Sequence, residues 1–214
     1  MLAVSGCTAN GQTPVIAQWG SSVSDGVGDT SGAGGYAGRL EEMLSARGWA
    51  LFNQSRGGDN TSLLSARFDP GENREPDTEY LTDVDPDYVV IGLSLGNEGI
   101  ARCAFGQTDR CVTSVAAADA VYEQFANGLQ MLIERSRRNG ITPVVALAYA
   151  RSDFSAFEYE YTRRMNLLIN SWDVPSVNLL GAIDDGHGRW ARGFFHDALH
   201  PNVAGHEEMF HAFV

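Results

Sequence analysis

Five short apolar runs, none with the polar alternation of a half-exposed strand, set the strongest limit on what this chain can fold into. They are PVIAQWG from Pro14, WALFNQS from Trp49, DYVVIGLSLG from Asp87, TPVVALAY from Thr142 and SVNLLGAI from Ser176. Strands of this kind are buried on both faces, and the segments between them must supply the cover. Tyr36 to Arg47, Ser114 to Asn139 and Ser155 to Ser171 read as amphipathic helices. In the longest, Val115, Ala118, Val121, Phe125, Leu129 and Leu132 recur at three- and four-residue spacing, and Asn139-Gly140 is a helix stop. A last helix is read in NVAGHEEMFHAFV, with Asn202 as its cap and Val203, Phe210 and Phe213 facing inward. Strands alternating with helices predict an α/β fold with a parallel sheet and right-handed crossovers. Gly26 to Gly38 and Asp69 to Asp85 lack periodicity and read as loops. Loops beyond the carboxyl ends of the strands are where such folds place their sites.

Composition matters for what it excludes. The length of 214 residues, 43% apolar and 20% charged, suits one core-bearing domain, placed at 13–214. Residues 1–12 are set apart as a signal remnant or a flexible N-terminus. With 27 acidic against 15 basic side chains, the net charge of -12 argues against nucleic acid, whose binding needs Lys and Arg to displace counterions. Such an acidic balance is also an ordinary route to solubility. No stretch approaches the roughly 20 apolar residues of a membrane span, so no transmembrane segment is expected.

The opening LAVSGC resembles a bacterial lipobox, which would make Cys7 a lipid-anchor position. Lacking a basic start and a full apolar stretch, it equally fits a chance string of small residues. The first reading implies export to the bacterial periplasm or cell envelope; the second leaves the cytoplasm open. Cys103 and Cys111 flank a polar loop and either form a bridge in an oxidising compartment or stay free thiols.

The first apolar run leads straight into Gly20-Ser21-Ser22 and then Val23-Ser24-Asp25-Gly26. A serine at a strand end, beside glycine, can present its hydroxyl to a crevice, although alone this is the composition of any turn. A partner stands near the other end, in Asp197-Ala198-Leu199-His200-Pro201. The three-residue offset lets the carboxylate reach one imidazole nitrogen and leaves the other to take a proton from a hydroxyl. His187, His196, His206 and His211 read as structural or surface residues. Ser21 and Ser24 are alternative hydroxyls, and His196, Asp197 and His200 too small a set for a metal site.

Together these segments resemble the SGNH hydrolases, also called the GDSL esterase and lipase family, in the family's order and over nearly the whole chain. Gly20 to Gly26 matches the G-D-S-x-x-x-G block with Ser21 in place of aspartate. Asn53-Gln54-Ser55-Arg56-Gly57-Gly58 matches N-x-G-x-x-G with Ser55 in place of the first glycine. Leu95-Gly96-Asn97-Glu98 matches G-x-N-D with Leu95 and Glu98 as departures, and Asp197 to Pro201 matches D-x-x-H-P in full.

The resemblance implies a three-layer α/β/α sandwich with a five-stranded parallel, flavodoxin-like sheet. It implies a serine carboxylic-ester hydrolase without cofactor or metal, with a triad of Ser22, His200 and Asp197. The oxyanion hole would be formed by the backbone of Ser22 and Gly58 and the side chain of Asn97. Activity should rise as the His200 imidazole deprotonates. Short acyl groups, acetyl on carbohydrate in particular, are the expected substrate class, with Trp19, Tyr36, Trp190 and Phe194 read either as a sugar platform or as core. The alternatives are a lipase- or lysophospholipase-like hydrolase of longer chains and a catalytically silent carbohydrate-binding relative.

Overall fold

A computed structural model of the chain describes residues 13–72, 74–101 and 111–214. Cys7 and Cys103 lie outside them. In chain order the elements are β1 (Val15–Gly20), α1 (Ser22–Asp25), α2 (Gly35–Ser45), β2 (Ala50–Asn53), α3 (Thr61–Ala66), β3 (Tyr88–Gly92), α4 (Leu95–Glu98), α5 (Val115–Arg138), β4 (Thr142–Ala146), α6 (Ala156–Asn170), β5 (Ser176–Val177), α7 (Leu179–Ile183) and α8 (Val203–His211). A 3₁₀ turn at Leu81–Val84 precedes β3.

The strands form one sheet in the order β2-β1-β3-β4-β5, every pair parallel. The two-residue period of a strand divides its side chains between two cores. Ala17, Trp19, Val89 and Ile91 join the core under α3, α5 and α6, where Leu64, Phe125, Leu129 and Met165 lie. Ile16 and Val90 join the opposite core, with Tyr36 and Leu40 of α2, Leu179 and Ile183 of α7, and Met209 of α8. Helices thus cover both faces, which is why the strands read as unbroken apolar runs. Each fully buried Leu or Phe contributes about 1.5–3 kcal/mol.

Local chemistry fixes the helix ends. Ser114 accepts the Ala117 N–H at the start of α5, Asn202 accepts the Gly205 N–H at the start of α8, and Ser155 and Glu158 form a reciprocal capping box on α6. Arg135, Arg137 and Arg138 fall in the last turn of α5, where the helix dipole favours positive charge.

Three expectations are corrected. The run from Ser176 is a strand for only two residues; from Leu179 it is helix, capped by the Asn178 side chain, which accepts the Gly181 N–H. Apolar content alone does not separate a buried strand from a short buried helix. Val115, read as core, is 60% exposed, because it is the first residue of α5 and precedes the part of the helix that meets the sheet. In the last segment Phe210 and Phe213 do pack against the second core, with Phe213 stacked on Tyr36, whereas partly covered Val203 does not join it; Met209 and His206 are the fully buried side chains of α8.

His206 ties α8 to the loop between α1 and α2. Its Nδ1 accepts the Tyr36 N–H at 3.2 Å, and its Nε2 donates to the Val27 carbonyl at 3.0 Å. One acceptor and one donor are what a neutral imidazole offers, and protonation would set a second N–H against that of Tyr36. Burial accordingly pushes the pKa below its ordinary 6.5; the Val27 carbonyl and Asp29 oppose this in part, and Arg39 and His200 add to it. Above about pH 6.5 the ring is neutral in folded and unfolded chains alike, and its contribution is fully present. Below that, the unfolded chain takes up a proton that the buried ring resists, so stability falls until the lower folded-state pKa is passed. Melting temperatures should therefore decline from neutral pH to about pH 5, and less steeply in a His206→Gln variant. Equal slopes for the two proteins would remove His206 from this account.

Candidate active site

In the strand order 2-1-3-4-5 the connections diverge between β1 and β3, and a crevice opens beyond the carboxyl ends of those two strands. Gly20 and Gly92 face each other there. A Cβ on Gly20 would sit 2.2 Å from the Gly92 carbonyl oxygen, and one on Gly92 would sit 2.3 Å from Ser24 Oγ. The missing side chains let α1 settle directly onto the strand ends, with the Ser21 N–H donating to the Gly92 carbonyl at 3.1 Å.

Of the three serines of this turn, Ser21 and Ser24 are fully buried. Ser24 Oγ lies 2.7 Å from the Tyr36 hydroxyl and donates to the Gly92 carbonyl at 3.1 Å. Ser22, at the start of α1, is the half-exposed one. Its Oγ lies 3.1 Å from His200 Nε2. On the far side of the ring, Nδ1 is 2.9 and 3.0 Å from the two oxygens of Asp197. An ionised carboxylate can only accept, so Nδ1 carries the proton and Nε2 presents its lone pair to the hydroxyl.

The Asp197 carboxylate also accepts the backbone N–H groups of Leu199 at 2.7 Å and His200 at 2.9 Å. Desolvation raises its pKa, but the His200 ring and these two N–H groups together outweigh it and hold the carboxyl below its ordinary range. The Asp197–His200 segment meets the turn after α1 closely: a Cβ on Gly28 would fall 2.1 Å from the Pro201 carbonyl oxygen and 3.2 Å from His200 Cβ.

The loops after β2 and β3 bring donors to the same place. A Cβ on Gly57 would be 3.8 Å from Ser22 Cβ, so this loop runs beside the hydroxyl. Gly58 follows at a φ of 85°, which glycine adopts without a Cβ clash. Among the described residues no backbone carbonyl takes the Ser22 or Gly58 N–H. Asn97 gives a side-chain N–H to the Asp59 carbonyl at 2.9 Å, and among the described residues its second N–H has no other partner. Two buried carboxylates brace these loops. Asp59 pairs with Arg67, which also donates to the Gln54 and Glu79 carbonyls. Glu98 accepts from Thr61 N at 3.1 Å, Thr61 Oγ1 at 2.6 Å and Gln124 Nε2 at 3.0 Å.

All five residues singled out in the sequence, Ser22, Gly58, Asn97, Asp197 and His200, thus lie around one crevice. The braces were not legible: a buried Asp59–Arg67 pair and a Glu98–Thr61 link join residues whose types carry no motif. The aromatic platform is corrected. Trp19 and Tyr36 are fully buried, Trp190 is 3% exposed and Phe194 packs on the second core, so none of the first three can meet a sugar. Among the described residues no cluster of His, Cys, Asp and Glu could hold a metal ion, and no helix is long and apolar enough to cross a membrane. Cys111 is disulfide-bonded.

A parallel sheet with serine, imidazole and carboxylate gathered beyond its switch point defines an α/β hydrolase. The GDSL-like Lipase/Acylhydrolase family model matches residues 19–208, and the chain belongs to that family, which places it among the esterases. A search of curated proteins finds no match. Among solved structures the fold is similar to that of a lipolytic G-D-S-L protein from Desulfitobacterium hafniense, at TM-score 0.66 and 15% identity over 94% of this chain and 98% of that one. It is similar to a mutant of Axe2, an acetyl-xylooligosaccharide esterase from Geobacillus stearothermophilus, at 0.66 and 17% over 94% and 92%. It is also similar to LAE5, an α/β hydrolase from a Lake Arreo metagenome, at 0.64 and 21% over 94% and 93%.

Proposed function

We propose that the protein is a serine carboxylic-ester hydrolase that works through an acyl-enzyme on short acyl esters, acetyl esters of carbohydrates in particular. The observation that carries this reading is the 3.1 Å contact of Ser22 Oγ with His200 Nε2, with Asp197 on the opposite ring nitrogen. Ser22 Oγ attacks the ester carbonyl carbon while Nε2 takes its proton, and Asp197 stabilises the imidazolium. The carbonyl oxygen becomes an oxyanion met by Ser22 N–H, Gly58 N–H and the free N–H of Asn97. Collapse expels the alcohol, which leaves with the proton from Nε2. Water then loses a proton to Nε2, attacks the acyl carbon and releases the acid and Ser22.

Support for a short acyl group comes from the acetyl-xylooligosaccharide esterase among the structural relatives. The disulfide at Cys111 supports an oxidising compartment such as the cell envelope.

Turnover of nitrophenyl esters from two to sixteen carbons, followed by acetylated xylooligosaccharides, tests the reading. Activity should peak at the two-carbon ester and extend to the acetylated sugar. A peak at the long chains would favour the lipase-like alternative, and no turnover of any ester would favour a silent binding relative.

A further inference from the structure

The proposed reaction needs groups on three separate segments: the Ser21–Ser22 turn, the α4 turn that bears Asn97, and the Asp197–His200 loop. One buried side chain outside all three links the first to the last. Tyr149, in the loop after β4, is 2% exposed. Its hydroxyl lies 3.3 Å from Ser21 Oγ, the neighbour of Ser22. Its ring stacks on Trp190, with centroids 5.8 Å apart and planes 22° from parallel. The Trp190 Nε1–H donates in turn to the Ala198 carbonyl at 3.2 Å. Three residues beyond Tyr149, the Ser152 N–H donates to that same carbonyl at 2.9 Å. Ala198 stands between Asp197 and His200 on the loop.

We infer that Tyr149 is a positioning residue: through its hydroxyl and the Trp190 indole it fixes the serine turn and the histidine loop in one register. This rests on the catalytic roles proposed above. A phenol suits the task because its hydroxyl can donate to or accept from a serine while its ring stacks on an indole. Burial pushes the Tyr149 phenol up from its ordinary 10.0, so the link does not titrate in the range where His200 works. Ser21 stands where the family carries aspartate, and a tyrosine hydroxyl beside it is the partner a serine can use and a buried carboxylate would use differently.

The test compares Tyr149→Phe, Trp190→Phe and Ser21→Ala with the parent and with Ser22→Ala, at temperatures well below each melting transition. Phe at 149 keeps the stacked ring and removes only the hydroxyl. Ser21→Ala removes the same hydrogen bond from its other end, and it serves if the Phe variant does not fold. Loss of one such bond should lower kcat about three- to tenfold, leave KM within twofold, and slow organophosphate labelling of Ser22 in parallel. Trp190→Phe should do the same through the histidine loop. Parent-like kcat and labelling rates in Tyr149→Phe and Ser21→Ala, beside an inactive Ser22→Ala, would overturn the positioning role and leave the proposed reaction standing. An active Ser22→Ala would overturn the reaction itself, and this inference with it.

Discussion

Replacing Ser22 with alanine should lower kcat for ester hydrolysis by about four to six orders of magnitude without unfolding the protein. The fold is spared because, among the described residues, the hydroxyl has a single hydrogen-bond partner, His200 Nε2, and it lies at the edge of a crevice rather than in a core. Alanine is also the best helix former, and Ser22 is the first residue of α1. The reaction is not spared. Without Oγ no acyl-enzyme can form, and the His200–Asp197 pair is left to activate water at a distance set for a hydroxyl now missing. What remains is the binding and oxyanion stabilisation that any variant with an intact crevice retains. The measurement is turnover of nitrophenyl acetate, paired with peptide mapping of an organophosphate adduct. The adduct should sit on Ser22 in the parent and vanish in the variant. Ser21 and Ser24 offer no substitute, since both are fully buried and both hydroxyls are engaged with tyrosines. An adduct on either, or turnover within tenfold of the parent, would refute Ser22 as the nucleophile.

The parts of this molecule that were legible in the sequence are those in which the physics is local or doubly enforced. Burial on both faces left β1, β3 and β4 almost wholly apolar, Gln18 and Thr142 excepted, so their residues announced them. The helices α5, α6 and α8 carried caps within four residues of their first turn, and their starts could be read to within a residue. The site was legible for a different reason: Ser22, Gly58 and Asn97 each follow a strand, so the sheet's geometry brings them together once the strands are found.

What escaped was contact across distance and structure below one period. The helices α1, α3, α4 and α7 run four to six residues, too short for a 3.6-residue repeat to show, and α7 was absorbed into a strand. Tyr149 and Ser21 are 128 residues apart, and the pair of Asp59 with Arg67 depends on a turn that propensity does not fix. The aromatic residues misled because Trp and Tyr serve cores and sugar sites equally well, and only burial distinguishes them.

The largest effect expected away from the serine and histidine is at Asn97, where alanine should lower kcat about 100- to 1,000-fold with little change in KM. The split follows from when the charge appears. A ground-state ester carbonyl is neutral and gains little from a third donor, whereas the oxyanion of the transition state carries a full charge. Removing one of three donors therefore raises the barrier and barely alters binding, by about 2.7–4 kcal/mol. Asn97 has a second duty, since its other N–H holds the Asp59 carbonyl at 2.9 Å, next to Gly58. Alanine breaks both bonds, so Glu98→Gln serves as the comparison. That change leaves Asn97 in place and weakens the brace to Thr61, at 2.6 Å from Oγ1, and to Gln124. If the amide itself meets the oxyanion, Asn97→Ala should fall far below Glu98→Gln in kcat. Equal and modest losses in the two variants would mean that Asn97 serves the loop's shape, and that the developing charge is met elsewhere.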